Sequence, residues 1–301
     1  MSWLQLRLQT RPELVETLED LMLATGAVAV TLEDNADQPV LEPAPGETPL
    51  WNNTRLTGLY RADTDVDAVL AEFPRDLLGE HPPKIDILED KDWEREWIRH
   101  YQPMRFGRRL WICPSWIAPP DPTAVNLLLD PGLAFGTGTH PTTALCLSQL
   151  DSMQLAGAEL VDYGCGSGIL ALAALKLGAA NVLGVDNDPQ ALAASRDNAQ
   201  RNAIAPQQLP VALPADPLVA RWQGRADVVI ANILAGPLLD LSPILLALLK
   251  PKGSLLISGL LETQARMLIE HYKPQILLHI CGERDGWVCL RGNLTTSPAG
   301  A

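Results

Sequence analysis

VDYGCGSGILALAALKLGA, residues 161–179, decides the fold. It continues the apolar run ELVDY (159–163), turns through glycines at 164, 166 and 168, and passes into a segment of helical composition. Strand, glycine turn and helix in that order make one βα unit. Glycine lets the chain turn tightly and lets a ligand touch backbone. The unit repeats downstream. Strands are expected at NVLGVD (181–186), ADVVIAN (226–232) and SLLIS (254–258), and helices at 168–178, 188–202 and 236–249. The strands near 159–163 and 226–231 are continuous apolar runs, as expected where helices cover both faces of a parallel sheet. ILLHIC (276–281) and WVCLRG (287–292) close the pattern with two more strands, the last a candidate for antiparallel orientation.

The glycine spacing narrows the ligand. A dinucleotide-binding turn wants G-x-G-x-x-G, but here the spacing is G-x-G-x-G and Ile169 stands where the third glycine would be. No Lys-Ser/Thr closes the loop, which excludes a P-loop. Asp186 ends the next apolar strand, where a carboxylate can accept both hydroxyls of a ribose. Asn232 ends ADVVIAN and projects to the same edge of an open α/β sheet, where ligands bind. The plainer alternatives are a bare strand-to-helix turn for the glycines and helix capping for Asn232, with Pro237 soon after it. The site therefore wants a nucleoside but does not advertise a polyphosphate.

Upstream lies DPGLAFGTGTHPTT (130–143), with three glycines and four threonines between an apolar run and a helix-like run. A surface loop with Thr139 as a cap would explain the threonine, but not the glycines and Phe135 together. His140 is the histidine nearest these motifs. It reads as structural or loop-stabilising, and with no partner at metal-ligand spacing no metal is expected.

Residues 1–90 differ from the rest. WLQLRL (3–8), VAVTLE (28–33), RLTGLYR (55–61) and KIDILE (84–89) read as strands, and 12–26 and 66–73 as helices. The order βαββαβ is that of a ferredoxin-like α+β sandwich. This stretch holds six Lys/Arg against 18 Asp/Glu, whereas residues 91–301 hold 17 against 18. An acidic module repels nucleic acid and attracts basic partners. DKDWEREWIRHY (90–101) suggests a short helix within a linker. The expected division is an acidic ferredoxin-like unit at 1–90, a linker at 91–117, a Rossmann-like domain at 118–293 and a frayed tail at 294–301. A chain of 301 residues that is 47% hydrophobic can bury a sizeable core. No uninterrupted apolar run reaches a membrane span, and MSWLQLRLQT lacks the pattern of a secretory signal. Five scattered cysteines with no C-x-x-C pair read as free thiols, so a cytoplasmic protein without a membrane partner is expected.

LLLDPGLAFGTGTHPTT, VDYGCGSGILALAALKLGA, GVDNDPQALAASRDNAQRN and ADVVIANILAGPL together closely resemble the PrmA family of Rossmann-like, S-adenosylmethionine-dependent methyltransferases. The acidic amino-terminal module and the WEREW linker are similar too, so the likeness covers nearly the whole chain. The resemblance implies S-adenosyl-L-methionine as cofactor and a basic large-subunit ribosomal protein, the eleventh, as substrate. It implies methylation of the N-terminal α-amino group and of lysine side chains, with the ferredoxin-like unit gripping the substrate and no direct nucleic-acid readout. Thr143, Gly164, Gly166, Asp186 and Asn232 are implied to contact the cofactor or its surroundings, with Asn232 and Thr143 beside the reacting amine. Phe135, Gly136 and Thr137 would belong to a mobile lid over the methyl donor.

Rival functions are a methyltransferase acting on RNA or a small molecule, a nicotinamide dehydrogenase and a non-enzymatic binding module. Ala235 stands where amino-methylating nucleic-acid enzymes resemble an aromatic residue that stacks on the base. The glycine spacing disfavours the dehydrogenase, and the intact set of glycine loop, Asp186 and Asn232 disfavours a decayed pocket.

Overall fold

Alternation of apolar and polar residues in WLQLRLQT buries every second side chain, and β1 (Trp3–Thr10) carries Leu4, Leu6 and Leu8 into a core. The structure is a computed structural model that describes residues 2–36, 50–74, 77–78, 82–88, 101–130, 136 and 138–295. Its contacts divide the chain into two units, 1–97 and 98–301.

In the first unit, a 3-10 turn (Pro12–Leu14) leads into α1 (Val15–Ala24), followed by β2 (Ala29–Asp34), β3 (Thr54–Arg61), α2 (Val66–Ala71) and β4 (Lys84–Leu88). Gly26 takes φ +101° just past α1, a left-handed turn that ends the helix. The sheet order is β2-β3-β1-β4 with all neighbours antiparallel, the ferredoxin-like arrangement. Val15, Leu18 and Met22 of α1 pack with the β1 leucines and Tyr60, whose hydroxyl lies 3.0 Å from Thr25 Oγ1.

The second unit opens with a three-stranded sheet of β5 (Met104–Phe106), β6 (Leu110–Cys113) and β7 (Val125–Leu128). Phe106, Leu110, Ile112 and Leu127 are buried in its core, so the later part of the stretch read as linker belongs to this unit. Buried Asp151 ties it down, accepting from the backbone N–H groups of Arg108 and Arg109 at 2.6 and 3.2 Å. The WEREW segment lies outside the described residues.

Next come α3 (Pro141–Ser152), β8 (Glu159–Tyr163), α4 (Ile169–Lys176), β9 (Asn181–Val185), α5 (Pro189–Arg201), β10 (Val211–Ala212), α6 (Pro217–Ala220) and β11 (Ala226–Asn232). The chain continues through α7 (Ala235–Asp240), α8 (Ser242–Leu248), β12 (Leu249–Leu261), α9 (Glu262–Tyr272), β13 (His279–Arg284) and β14 (Trp287–Asn293). The seven-stranded sheet runs β10-β9-β8-β11-β12-β14-β13. Its first five strands are parallel, and β14 and β13 are antiparallel to their neighbours. Successive residues of β11 alternate between two cores. Val228 and Ile230 join α3 and α4, while Val229 and Ala231 join α7, α8 and α9. That is a Rossmann-like three-layer domain. The strand order reverses between β8 and β11, which sets the crevice at their carboxyl ends.

Several expectations change in detail. The helix expected at 236–249 is two, because Pro243 starts a new helix at Ser242. Strand β10 and helix α9 had no counterpart in the sequence reading. Leu294 and Thr295, placed in the frayed tail, are held: their N–H groups donate to Gly253 O and Gln275 O, each at 2.9 Å. No helix among the described residues is long and apolar enough to cross a membrane.

Candidate active site

The turn after β8 uses its glycines for three different reasons. Gly164, Gly166 and Gly168 all have positive φ, at 81°, 53° and 79°. A Cβ on Gly164 would stand 2.3 Å from Ile233 Cγ2, so the loop and the end of β11 touch through a missing side chain. A Cβ on Gly168 would stand 2.9 Å from Ser195 Oγ on α5. Gly166 N–H donates to Asp186 Oδ2 at 2.8 Å. The other oxygen, Oδ1, accepts from Asp188 N–H at 3.0 Å. Asp188 itself caps α5 through Gln190 N–H. Each carboxylate oxygen accepts more than one hydrogen bond, so Asp186 keeps capacity for the two hydroxyls of a ribose.

Ile169 explains the departure from the dinucleotide pattern. It is buried at the start of α4, and its side chain supports the positions of Gly136 and Gly138. Gly136 is joined to the glycine loop directly, its carbonyl accepting from Ser167 Oγ at 2.7 Å. Phe135 and Thr137, named with Gly136, lie outside the described residues.

His140, rather than Thr139, caps α3. Its Nδ1 accepts from Thr142 N–H at 3.3 Å and lies 2.7 Å from Thr142 Oγ1. Burial holds its pKa below the usual imidazole value, which favours the neutral ring that a capping acceptor requires. The ring meets Trp287 edge-on at 5.0 Å between centroids.

Asn232 and Thr143 come together from β11 and α3. Asn232 Nδ2 donates to Thr143 Oγ1 at 3.2 Å. Thr143 is fully buried, and Asn232 Oδ1 is buried with no hydrogen-bond partner. Beneath the loop, Asp162 is also fully buried. One of its oxygens accepts from Ala171 N–H at 3.0 Å, and the other has no partner. Burial first, and then the nearby negative charge of Asp186, push its pKa up to about 7 despite the bond from Ala171.

Some of these groups meet at one cavity of about 660 Å³, whereas Thr143, Gly166, Gly136 and Asp162 are not among its lining residues. Gly164, Asp186 and Asn232 line it, together with Tyr163, Gly259 and Trp287, which the sequence reading missed. Each of the three follows from sheet topology. Tyr163 ends β8, and Gly259 lies in β12 beside Ile233, where a Cβ would stand 2.2 Å from the Ile233 carbonyl oxygen. Trp287 begins an antiparallel strand, so its amino end meets the carboxyl ends of the parallel ones. Among the described residues, the lining includes the carboxylate of Asp186 and no lysine or arginine. The walls are largely apolar, from Ile233, Leu234, Leu241 and Ile244. Such a site suits a nucleoside carrying positive charge and repels a phosphate chain. S-adenosylmethionine fits it: a carboxylate for the ribose, glycine backbone at the turn, apolar walls for a base, and the Asn232 amide at the wall. Among the described residues, no group of three or more His, Cys, Asp or Glu side chains is arranged to hold a metal ion.

The family model described as ribosomal protein L11 methyltransferase (PrmA) matches residues 2–295. A ribosomal protein L11 methyltransferase of Pseudomonas paraeruginosa is 57% identical over 293 residues, covering 97% of this chain and 98% of the relative. One from Teredinibacter turnerae is 54% identical over 293 residues, with 97% of each chain covered. Among solved structures, a ribosomal protein L11 methylase from Lactobacillus delbrueckii subsp. bulgaricus is 33% identical with a TM-score of 0.57, covering 65% of this chain and 100% of that one.

Proposed function

The chain belongs to the PrmA family of ribosomal protein L11 methyltransferases, and on that premise we propose that it methylates ribosomal protein L11 at the N-terminal α-amino group and at lysine side chains. The methyl donor is S-adenosyl-L-methionine, which supplies a methyl group already activated on a positively charged sulfur. The protein's tasks are therefore to position, to desolvate and to present a neutral amine.

In this assignment Asp186 holds the ribose hydroxyls, and Gly164 and Gly166 offer backbone to the donor. Gly136 is assigned to the surroundings of the donor. The acceptor amine is the harder problem. A lysine with pKa ~10.4 is neutral about 0.04% of the time at pH 7, and an α-amine with pKa ~7.7–8.0 roughly 10–17%. Burial among apolar walls favours the neutral form of either. Asn232 Oδ1 then accepts an N–H of the amine and aims its lone pair. Thr143 fixes the amide by taking up Nδ2. His140 is assigned to capping α3 rather than to proton transfer.

The observation that carries the proposal is the buried, unpartnered Oδ1 of Asn232 at the wall of an apolar cavity. A buried amide oxygen without a donor is unfavourable by about 1–3 kcal/mol, and a substrate N–H satisfies it. The acidic residues 1–90 are proposed to grip the basic ribosomal protein, and their charge disfavours readout of nucleic acid.

The test is to incubate the purified chain with labelled methyl donor, bulk ribosomal proteins and ribosomal RNA. Label is expected in L11, at its N-terminus and lysines by peptide mapping; label in RNA instead overturns the proposal. Asn232→Ala is expected to lower kcat on the order of 100-fold, as loss of one preorganised polar group does. Its effect on S-adenosylhomocysteine affinity should be much smaller. An equal loss in both would make Asn232 a cofactor ligand only.

A further inference from the structure

Three of the five free cysteines gather where α3, β13 and β14 meet. The register of β13 against β14 shifts between Ile280 and Gly282, which leaves Cys281 as the extra residue of a bulge opposite Cys289. The Cys281 thiol donates to the Cys289 carbonyl oxygen at 3.2 Å. Cys289 and Cys146 of α3 share one buried cluster. Gln149 on the same helix pins the bulge, donating to the Cys281 carbonyl at 2.8 Å. Cys281 is half-buried, whereas Cys289 and Cys146 are fully buried, so a solute from water meets Cys281 first.

We propose that Cys281 and Cys289 form an oxidisable dithiol in which a hydroperoxide attacks Cys281 and Cys289 resolves the product to a disulfide. The Cys281 thiolate attacks one peroxide oxygen. The O–O bond breaks, and the second oxygen leaves with a proton as water or an alcohol, giving a sulfenic acid. The Cys289 sulfur then attacks the sulfenyl sulfur. The S–O bond breaks, and the hydroxyl departs as water with the Cys289 proton. The two thiols together lose two electrons and the peroxide gains them. The local electrostatics match this order. The hydrogen bond from Cys289, aided by the Arg291 charge, holds the Cys281 pKa below the ordinary thiol value. Cys289 is pushed well above it, first by Cys146 and then by Cys281.

The dithiol is tied to the cavity. Trp287, two residues before Cys289 on β14, lines the cavity and meets His140, the cap of α3, edge-on. A disulfide demands a closer and more specific geometry than two hydrogen-bonded thiols. Closing it draws β13 and β14 together, and Trp287 rides on β14 against the cap of α3. This coupling, unlike the oxidation itself, rests on the assignment of the cavity to the methyl donor.

The test uses the reduced full-length chain, hydrogen peroxide and mass spectrometry. The expected product is lighter by two hydrogens. Trypsin cuts after Arg284, so the link should join two separate peptides. Cys281→Ser is expected to abolish it. Cys289→Ser should leave a sulfenic acid at Cys281 that dimedone traps. Three results overturn the proposal: a Cys146–Cys289 link, Cys281 overoxidised with Cys289 still free, or no change under peroxide that fully oxidises glutathione. Calorimetry with S-adenosylhomocysteine tests the coupling, with affinity several-fold weaker for the oxidised chain. Equal affinities overturn the coupling and leave the disulfide standing. No binding even by the reduced chain overturns the cavity assignment instead.

Discussion

The two edges of the seven-stranded sheet treat polar groups in opposite ways. At the amino ends of β8, β11 and β12 four charges pair with one another. Arg225 pairs with Glu159 at 2.6 Å, Lys250 pairs with Asp227, and Asp227 also accepts the Glu159 N–H at 3.0 Å. At the carboxyl ends of β8 and β11, Asp162 and Asn232 each keep a buried oxygen with no partner. Among the described residues only Thr57 shares that condition. Folding normally satisfies buried polar atoms, so the two orphans set this edge apart, and of the two residues Asn232 lines the cavity. On the proposed assignment the first edge serves stability and the second binding, although the same strands run through both.

The sharpest way to break this contrast is Asp186→Ala. The carboxylate anchors Gly166 N–H and Asp188 N–H and is assigned to the ribose. Two hydrogen bonds to a charged group contribute about 1.5–3 kcal/mol each. Affinity for S-adenosylhomocysteine should fall at least ~100-fold. Calorimetry measures this directly, and near wild-type binding would detach the carboxyl edge from any nucleoside.

Asp162→Asn tests the orphan itself, with a smaller effect and a pH signature. The folded-state pKa is raised to about 7, against ~3.9 unfolded. Below both values the carboxyl is protonated in both states. Between them the folded chain binds a proton that the unfolded chain does not, so stability falls as pH rises from about 4 to 7 and stays lower above. Asparagine keeps an acceptor for Ala171 N–H and carries no charge. The variant should gain on the wild type progressively over that window, reaching ~2–4 kcal/mol near pH 8. Urea titrations at several pH values give the difference, and parallel curves would show Asp162 to be solvated or paired.

What could be read from the chain divides along a similar line. The glycine loop, Asp186 and Asn232 were legible because each sits at the end of an apolar run, and strand ends are visible in a linear pattern. Trp287 was not legible as a site residue, since only the antiparallel insertion of β14 beside β12 brings its amino end to the ligand edge. Gly259 looked like an ordinary strand residue, and its role depends on the close approach of Ile233. Strand β10 has two residues, too few for any periodicity to show. Thr139 was the obvious cap by residue type, yet His140 holds the extended Ncap conformation and the acceptor. In each case the missing information is which segments become neighbours, not what any segment is.

The smallest effect is expected at the amino edge, from Lys250→Ala. Lys250 is 45% exposed and its partner Asp227 30%, so water and salt screen the pair. An exposed pair of this kind contributes about 0.2–1 kcal/mol. Asp227 keeps its bond from Glu159 N–H after the substitution, so no buried charge is stranded. Thermal unfolding should shift slightly, and the shift should shrink further at high salt. Affinity for S-adenosylhomocysteine should not move, because nothing at this edge lines the cavity. If Lys250→Ala weakened binding as Asp186→Ala does, the strands would be transmitting load from one edge to the other. The separation of stability from binding along β11 and β12 would then be wrong, even with every cavity residue correctly placed.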